Sequence, residues 1–204
     1  MEPINVKVII GSTRPERGVD VLLPWLVDRL DRDARFDVDV LDLRDWDLPM
    51  FQETWETARN GYSTETVRRW NERIVDGDAF LFVTPEYNHS ITAVLKNAID
   101  SVFTSGGFRN KAAGTIAYSG GNVGGARAVE HLAGIAVEAE LVPLRNSVLV
   151  SQYHRAFDDD GQPIDPMTDR ALTILLDDLA WWGDTLRTAR RTGELPPAHQ
   201  RRVA

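Results

Sequence analysis

DAFLFVT, residues 78–84, carries five apolar positions in a row and is halted by Pro85. A run this short is too brief for a buried helix and fits a strand covered on both faces. Working outward, the pattern recurs. NVKVII at 5–10 ends in Gly11-Ser12, DVDVLDL at 37–43 sets Val38, Val40 and Leu41 among aspartates, AAGTIAY covers 112–118, and a fifth strand spans 141–150. Between them lie helical spacings: Leu22, Leu23, Leu26 and Leu30; then Val67, Trp70 and Ile74 behind Ser63 as N-cap. Further helices are expected from about Thr92 to Val102 and from about Ala126 to Glu138. Asp165-Pro166 would open a last one with the stripe Leu172, Leu175, Leu179, Trp182 and Leu186. Residues 44–62, with Pro49 and Gly61, read as irregular, and 153–166, with Asp158 to Gly161, as a surface turn. Strand–helix alternation with apolar strands means an α/β fold, a parallel sheet with helices on both faces. One domain is expected over residues 1–190, with 191–204 as a flexible basic tail.

The chain has 204 residues, no cysteine and a net charge of −8. It is long enough to bury roughly 70% of its unfolded surface, so no disulfide or metal staple is required. Thiolate nucleophiles and cysteine-ligated metal sites are excluded. The acidic balance argues against a broad nucleic-acid surface. No apolar run approaches the ~20 residues of a membrane span, and no export leader is evident, so a cytoplasmic protein is expected. The basic exception runs from Arg187 through Arg190, Arg191, Arg201 and Arg202 against Glu194 alone, and is expected to be solvated and frayed.

In a sheet of this kind, ligands bind beyond the carboxyl ends of the strands. Three loops leave those ends. GSTRPERG at 11–18 combines a permissive Gly11 and the hydroxyls of Ser12 and Thr13 with Arg14, Arg17 and a following helix N-terminus; that is a phosphate cradle in composition, or else a polar turn with solvated arginines. It matches neither a Walker loop nor GxGxxG. PEYNHS at 85–90 could hold a planar heterocycle against Tyr87 and rigid backbone, or could be a capped turn. YSGGNVGGAR at 118–127 places four glycines in six positions, which lets backbone approach a flat ligand or simply makes a flexible turn. Ala117 to Gly121 also approximates the GxSxG nucleophile elbow, but a second glycine pair precedes the helix and neither His131 nor His154 is marked as the base. The histidines show no metal-ligand spacing, so no metal site is expected.

Taken in register, GSTRPER at 11–17, LPMF at 48–51, TPEYNHS at 84–90 with LKNAID at 95–100, and GGARAVEHL at 124–132 resemble the NADPH-dependent FMN reductase family of flavodoxin-like proteins. The resemblance covers roughly residues 4–150. It implies a three-layer sandwich around a five-stranded sheet of order 2-1-3-4-5. It also implies FMN as bound cofactor and NADPH or NADH as co-substrate. Ser12, Thr13, Arg14 and Arg17 would hold the phosphate; Pro85, Glu86, Tyr87 and Asn88 would line the isoalloxazine; Ser119, Gly120 and Gly121 would edge its pyrimidine side. Family members are usually homodimers or pairs of dimers. His89 stands where glycine is commoner, and Thr92-Ala93 where Pro-Gly is frequent.

The resemblance implies an oxidoreductase that passes hydride from a nicotinamide to FMN and on to a small acceptor such as a quinone, free flavin, azo dye or metal oxyanion. The cofactor carries the hard chemistry, so no catalytic side chain is expected. Two rivals share the pocket: a flavodoxin-like electron carrier, and a nucleotide-binding protein without redox turnover.

Overall fold

The computed structural model describes residues 2–197, 200 and 201. Five parallel strands form one sheet in the order β2-β1-β3-β4-β5: β1 Ile4–Ile10, β2 Phe36–Asp42, β3 Ala79–Pro85, β4 Ala112–Ser119 and β5 Val142–Ser151. The register sets Val6 opposite Val38 and Ala79, and Phe82 opposite Thr115. β5 is an edge strand and therefore tolerates Pro143, next to an irregularity opposite Ala113–Thr115.

Side-chain alternation divides the core in two. Ala79, Leu81 and Val83 of β3 face one layer with α1 (Val19–Asp31) and the last helix. Phe80 and Phe82 face the other, with Trp70, Leu95 and Leu132. There the Trp70 indole, fully buried, donates to the Ala98 carbonyl at 2.8 Å.

Two boundaries and one burial pattern differ from expectation. Trp55–Arg59, inside the stretch read as irregular, forms a one-turn helix, α2, closed by a Thr54–Thr57 capping box. It buries no residue, so no apolar periodicity betrays it. The cap of α3 (Glu65–Asp76) is Thr64, because Ser63 is taken by the Glu53 carboxylate. Helices α4 (Ala93–Asp100) and α5 (Ala126–Glu138) follow as expected. The last helix, α6, runs Pro166–Thr192 behind its Asp165 cap. Leu172, Leu175 and Leu179 are buried, whereas Trp182 leaves the stripe.

Of the arginines expected to be solvated from Arg187 onward, Arg187 and Arg190 are instead pinned, whereas Arg191 and Arg201 are exposed. Arg187 donates to the Pro3 and Glu2 carbonyls at 2.8 and 2.9 Å and pairs with Asp184. Arg190 reaches the Asn110 carbonyl at 2.7 Å and Asp78 at 3.0 Å. Apart from Asp184, one helical turn away, their partners are backbone groups and a carboxylate at the amino ends of the strands, distant in sequence. Arg202 lies outside the described residues.

Candidate active site

The first loop is tied down from both sides. Gly11 N–H donates to Val83 O at 2.8 Å, and a Cβ there would meet Leu95 at 3.0 Å. The Thr92 hydroxyl donates to Gly11 O at 2.5 Å while capping α4 through Leu95 N–H, so the N-terminus of α4 and the loop are one unit. Helix α1 follows Gly18 with no side-chain cap; the Asp20 and Val21 amides donate back to the Arg17 and Gly18 carbonyls at 3.2 and 3.3 Å, and the positive dipole end faces the loop.

Arg17, expected at an anion, lies beneath the loop. Its guanidinium forks onto Asp42 at 2.6 and 2.5 Å, holds Asp20 at 2.9 Å and donates to Ser12 O at 2.7 Å. Burial acts to raise the Asp42 carboxyl, but Arg17 and the Arg44 amide outweigh it and hold it low. The Arg17 charge is thereby matched inside the protein, and the residue braces the loop. Arg14, by contrast, is exposed, with its guanidinium carbon 5.8 Å from the Tyr87 ring centroid. Thr13 is exposed beside it, whereas Ser12 is buried with its hydroxyl 3.3 Å from the Tyr87 hydroxyl.

The second loop is a tight hairpin. Tyr87 and Ser90 exchange backbone hydrogen bonds at 2.9 and 3.0 Å, and Asn88 and His89 occupy the turn with φ of 49° and 69°. Two left-handed residues make the turn type normally written Asn-Gly, which explains the preference for glycine at position 89. Pro85 ends β3 beside Tyr118, and Glu86 N–H donates to Tyr118 O at 3.1 Å. The Glu86 carboxylate, nearly buried, is clamped by Arg127 in the first turn of α5, through its guanidinium and its backbone N–H. Burial would raise that carboxyl, but Arg127 wins and lowers it. Arg127 also donates to His89 Nε2 at 2.9 Å, and His131 pairs with Ser90 at 3.0 Å.

The third loop splits into halves. Gly124 and Gly125, at φ of 63° and 91°, are packed against β5 and β4. Gly120 and Gly121 are exposed, and a Cβ on either would meet nothing within 4 Å. The Ser119 hydroxyl donates to Gly121 O at 3.0 Å. With His131 held by Ser90 and His154 edge-on to Tyr153, neither histidine is paired with Ser119 as a base. Among the described residues no cluster of three or more carboxylates or histidines could hold a metal.

The expected residues therefore sit along the carboxyl edge of the sheet, Arg17 beneath the first loop with its guanidinium committed to Asp42, Asp20 and the Ser12 carbonyl. Several participants carried no sequence signal of their role. Asn97 of α4 holds the LPMF stretch, accepting from Phe51 N–H at 2.7 Å and donating to Pro49 O at 2.9 Å. That stretch walls a cleft of about 260 Å³ on the β2 side of the first loop, between Trp46, Leu48, Met50 and Ala93. Of the expected residues, Thr13 alone lines it. Tyr118, read as a strand residue, is buried with an unpartnered hydroxyl. The edge as a whole offers a helix N-terminus without a side-chain cap, an exposed guanidinium beside Tyr87 and bare backbone, suited to a ligand with an anionic end and a flat end.

Comparison with known proteins agrees with that chemistry. An NAD(P)H-dependent FMN reductase of Schizosaccharomyces pombe is 34% identical over 134 residues, covering 64% of this chain and 66% of the relative. The 2-hydroxy-1,4-benzoquinone reductase of a Burkholderia species is 28% identical over 88% of this chain and 96% of its own length. Among solved structures, FerB, an NAD(P)H:(acceptor) oxidoreductase flavoenzyme of Paracoccus denitrificans, superposes with a TM-score of 0.72 at 27% identity, covering 89% of this chain and 98% of that one. The profile of the NADPH-dependent FMN reductases matches residues 4–155, a span that takes in all five strands and all three loops. By that match, and by the sheet order 2-1-3-4-5 beneath it, the chain belongs to the NADPH-dependent FMN reductase family.

Proposed function

We propose that this chain is an oxidoreductase holding FMN at the carboxyl edge of its sheet and passing reducing equivalents from NAD(P)H to a small quinone-like acceptor. Bound FMN supplies the chemistry, a ring that takes hydride from the nicotinamide and returns two electrons to the acceptor. The chain's part is binding and orientation. Arg14, Thr13, Ser12 and the amides at the start of α1 match a phosphate, by charge and by directed N–H and O–H donors. Pro85 to Asn88, locked by the hairpin and by Glu86–Arg127, offer a rigid wall. Ser119, Gly120 and Gly121 offer backbone without side chains, and a Cβ at either glycine would fill the space a ring needs. No side chain is assigned to proton transfer.

The observation that carries this reading is the pairing, at the carboxyl ends of β1 and β4 on either side of β3, of an uncapped helix N-terminus beside exposed Arg14 with the open backbone of Gly120-Gly121. The quinone class is favoured over azo, free-flavin and oxyanion acceptors by the names of the quinone reductases among the relatives. We further propose a homodimer. Met50 and Phe103 are 77% and 61% exposed, and Trp55 and Phe103 pack ring to ring at 5.3 Å on an uncovered face. Light scattering of the purified protein tests the dimer.

The visible spectrum of the purified protein tests the main reading. Flavin absorbance, bleached by anaerobic NADPH alone and restored by a benzoquinone, is expected. Bleaching that needs an added reductase would indicate an electron carrier, and a colourless protein that takes up no FMN would overturn the assignment. Arg14→Ala is expected to lower flavin content.

A further inference from the structure

Three hydroxyls gather at the first loop; that of Tyr87 has the Arg14 guanidinium as a partner, whereas those of Ser12 and Tyr118 are poorly satisfied. Ser12 and Tyr87 are 3.3 Å apart, long for an O–H···O bond. Tyr118 is 2% exposed, and its hydroxyl has no hydrogen-bond partner at all. An orphaned buried phenol is costly in a fold where most buried polar groups are paired. The tyrosine is held in place: its ring meets Tyr153 edge-on at 5.6 Å and abuts Gly18, where a Cβ would lie 2.9 Å from Tyr118 Cε2. Gly18 is the residue at which α1 begins, uncapped. Ser12 and the Val19 amide both act on the Tyr118 hydroxyl, but neither bonds it.

We propose that Tyr118 is a phosphate ligand, donating its hydroxyl proton in a hydrogen bond to the terminal phosphate of FMN from the floor of the first loop. This rests on the flavin reading above and adds to it a residue from β4. Burial pushes the Tyr118 phenol up, so it stays a neutral donor at physiological pH. The proton is shared, not transferred. With Arg17 turned toward Asp42, the phosphate site needs a donor from below, and Tyr118 is the buried side chain that reaches the uncapped end of α1 without a partner of its own.

The test is Tyr118→Phe in the full chain, with FMN and riboflavin titrated separately. Riboflavin has the same ring without phosphate. A lost hydrogen bond to a charged group predicts an FMN Kd raised about tenfold or more with the riboflavin Kd unchanged. Removing an unsatisfied hydroxyl also predicts that the flavin-free variant melts no lower than wild type, where a structural role would lower it. Equal weakening for both flavins, or an unchanged FMN Kd, overturns the inference while the flavin reading stands. Wild-type protein that binds neither flavin overturns both.

Discussion

Alanine at Gly125 and alanine at Gly120 add the same methyl group to two halves of one loop, with opposite expected outcomes. At Gly125 the backbone is left-handed, and the new Cβ would lie 2.6 Å from Ala117 Cβ and 2.9 Å from Tyr118 N. Both obstacles belong to β4 at its buried end, so relief requires moving the strand or the helix. The left-handed conformation costs ~1–2 kcal/mol. Forcing a methyl into packed surroundings costs ~1–3 kcal/mol. The stiffer unfolded chain returns less than ~1 kcal/mol. The net is about 3 kcal/mol, or about 6–12 °C of melting temperature in a domain of this size. At Gly120 no heavy atom lies within 4 Å, and the flavin-free protein should melt within ~2 °C of wild type. The methyl there does cover the bare backbone proposed to face the ring, which should raise the FMN Kd about tenfold, ~1.4 kcal/mol. Melting is followed by circular dichroism without flavin, because bound ligand would shift it by mass action, and affinity by fluorescence titration. If Gly125→Ala melts with wild type, the packing argument is wrong. If Gly120→Ala binds FMN undiminished, the proposed ring contact is wrong.

Three further outcomes follow from the charged groups. Arg17→Met leaves the Asp42 carboxylate, 19% exposed, without its forked partner and should cost about 3 kcal/mol in urea denaturation, with FMN affinity falling as the loop loosens. Glu86→Gln should cost only about 1 kcal/mol at pH 7, because Arg127 is 43% exposed. The Glu86 carboxyl is lowered in the folded protein, so this difference between wild type and variant should persist above its ordinary value of 4.5 and vanish as pH falls below it. Lys111, buried and donating to the Ile74 and Val75 carbonyls, is pushed down to about 8 from 10.5. Between those values the unfolded chain holds a proton that the native chain has released, so wild type should gain up to ~3 kcal/mol of stability across that window. Lys111→Met should lack the gain, as measured by denaturation at pH 7.5 and pH 10.5.

What could be read from the sequence was whatever depends on neighbours in the chain. The apolar run at 79–83 is buried at every position, and the Asp165 cap sits where its residue type demands. The glycine loop was visible for the same reason, since backbone freedom is a property of the residue itself. Partnerships across the fold were not visible. Arg17 looked like an anion ligand because its neighbours are hydroxyls and glycines, and its true partner, Asp42, lies 25 residues away at the end of another strand. Arg187 and Arg190 looked solvated because, Asp184 aside, their acceptors at Glu2, Pro3, Asp78 and Asn110 are far away in the chain. Tyr118 read as one more apolar strand position, since alternation reports which face a side chain takes and says nothing of an unmet hydroxyl at its tip. Asn97 lies in the LKNAID stretch that carries the resemblance, but its structural role was not visible, because its acceptor and donor contacts are to backbone 46 and 48 residues earlier.

The hairpin at Tyr87–Ser90 separates scaffold from tip. Its base is fixed by main-chain bonds and by the Glu86–Arg127 clamp, none of which uses the side chain of Asn88 or His89 to hold the backbone path. Both tip side chains are exposed. The two positions thus form a tip that can be varied for new oxidants among residues that tolerate a left-handed backbone, with His89 alone reaching back to the frame through Arg127.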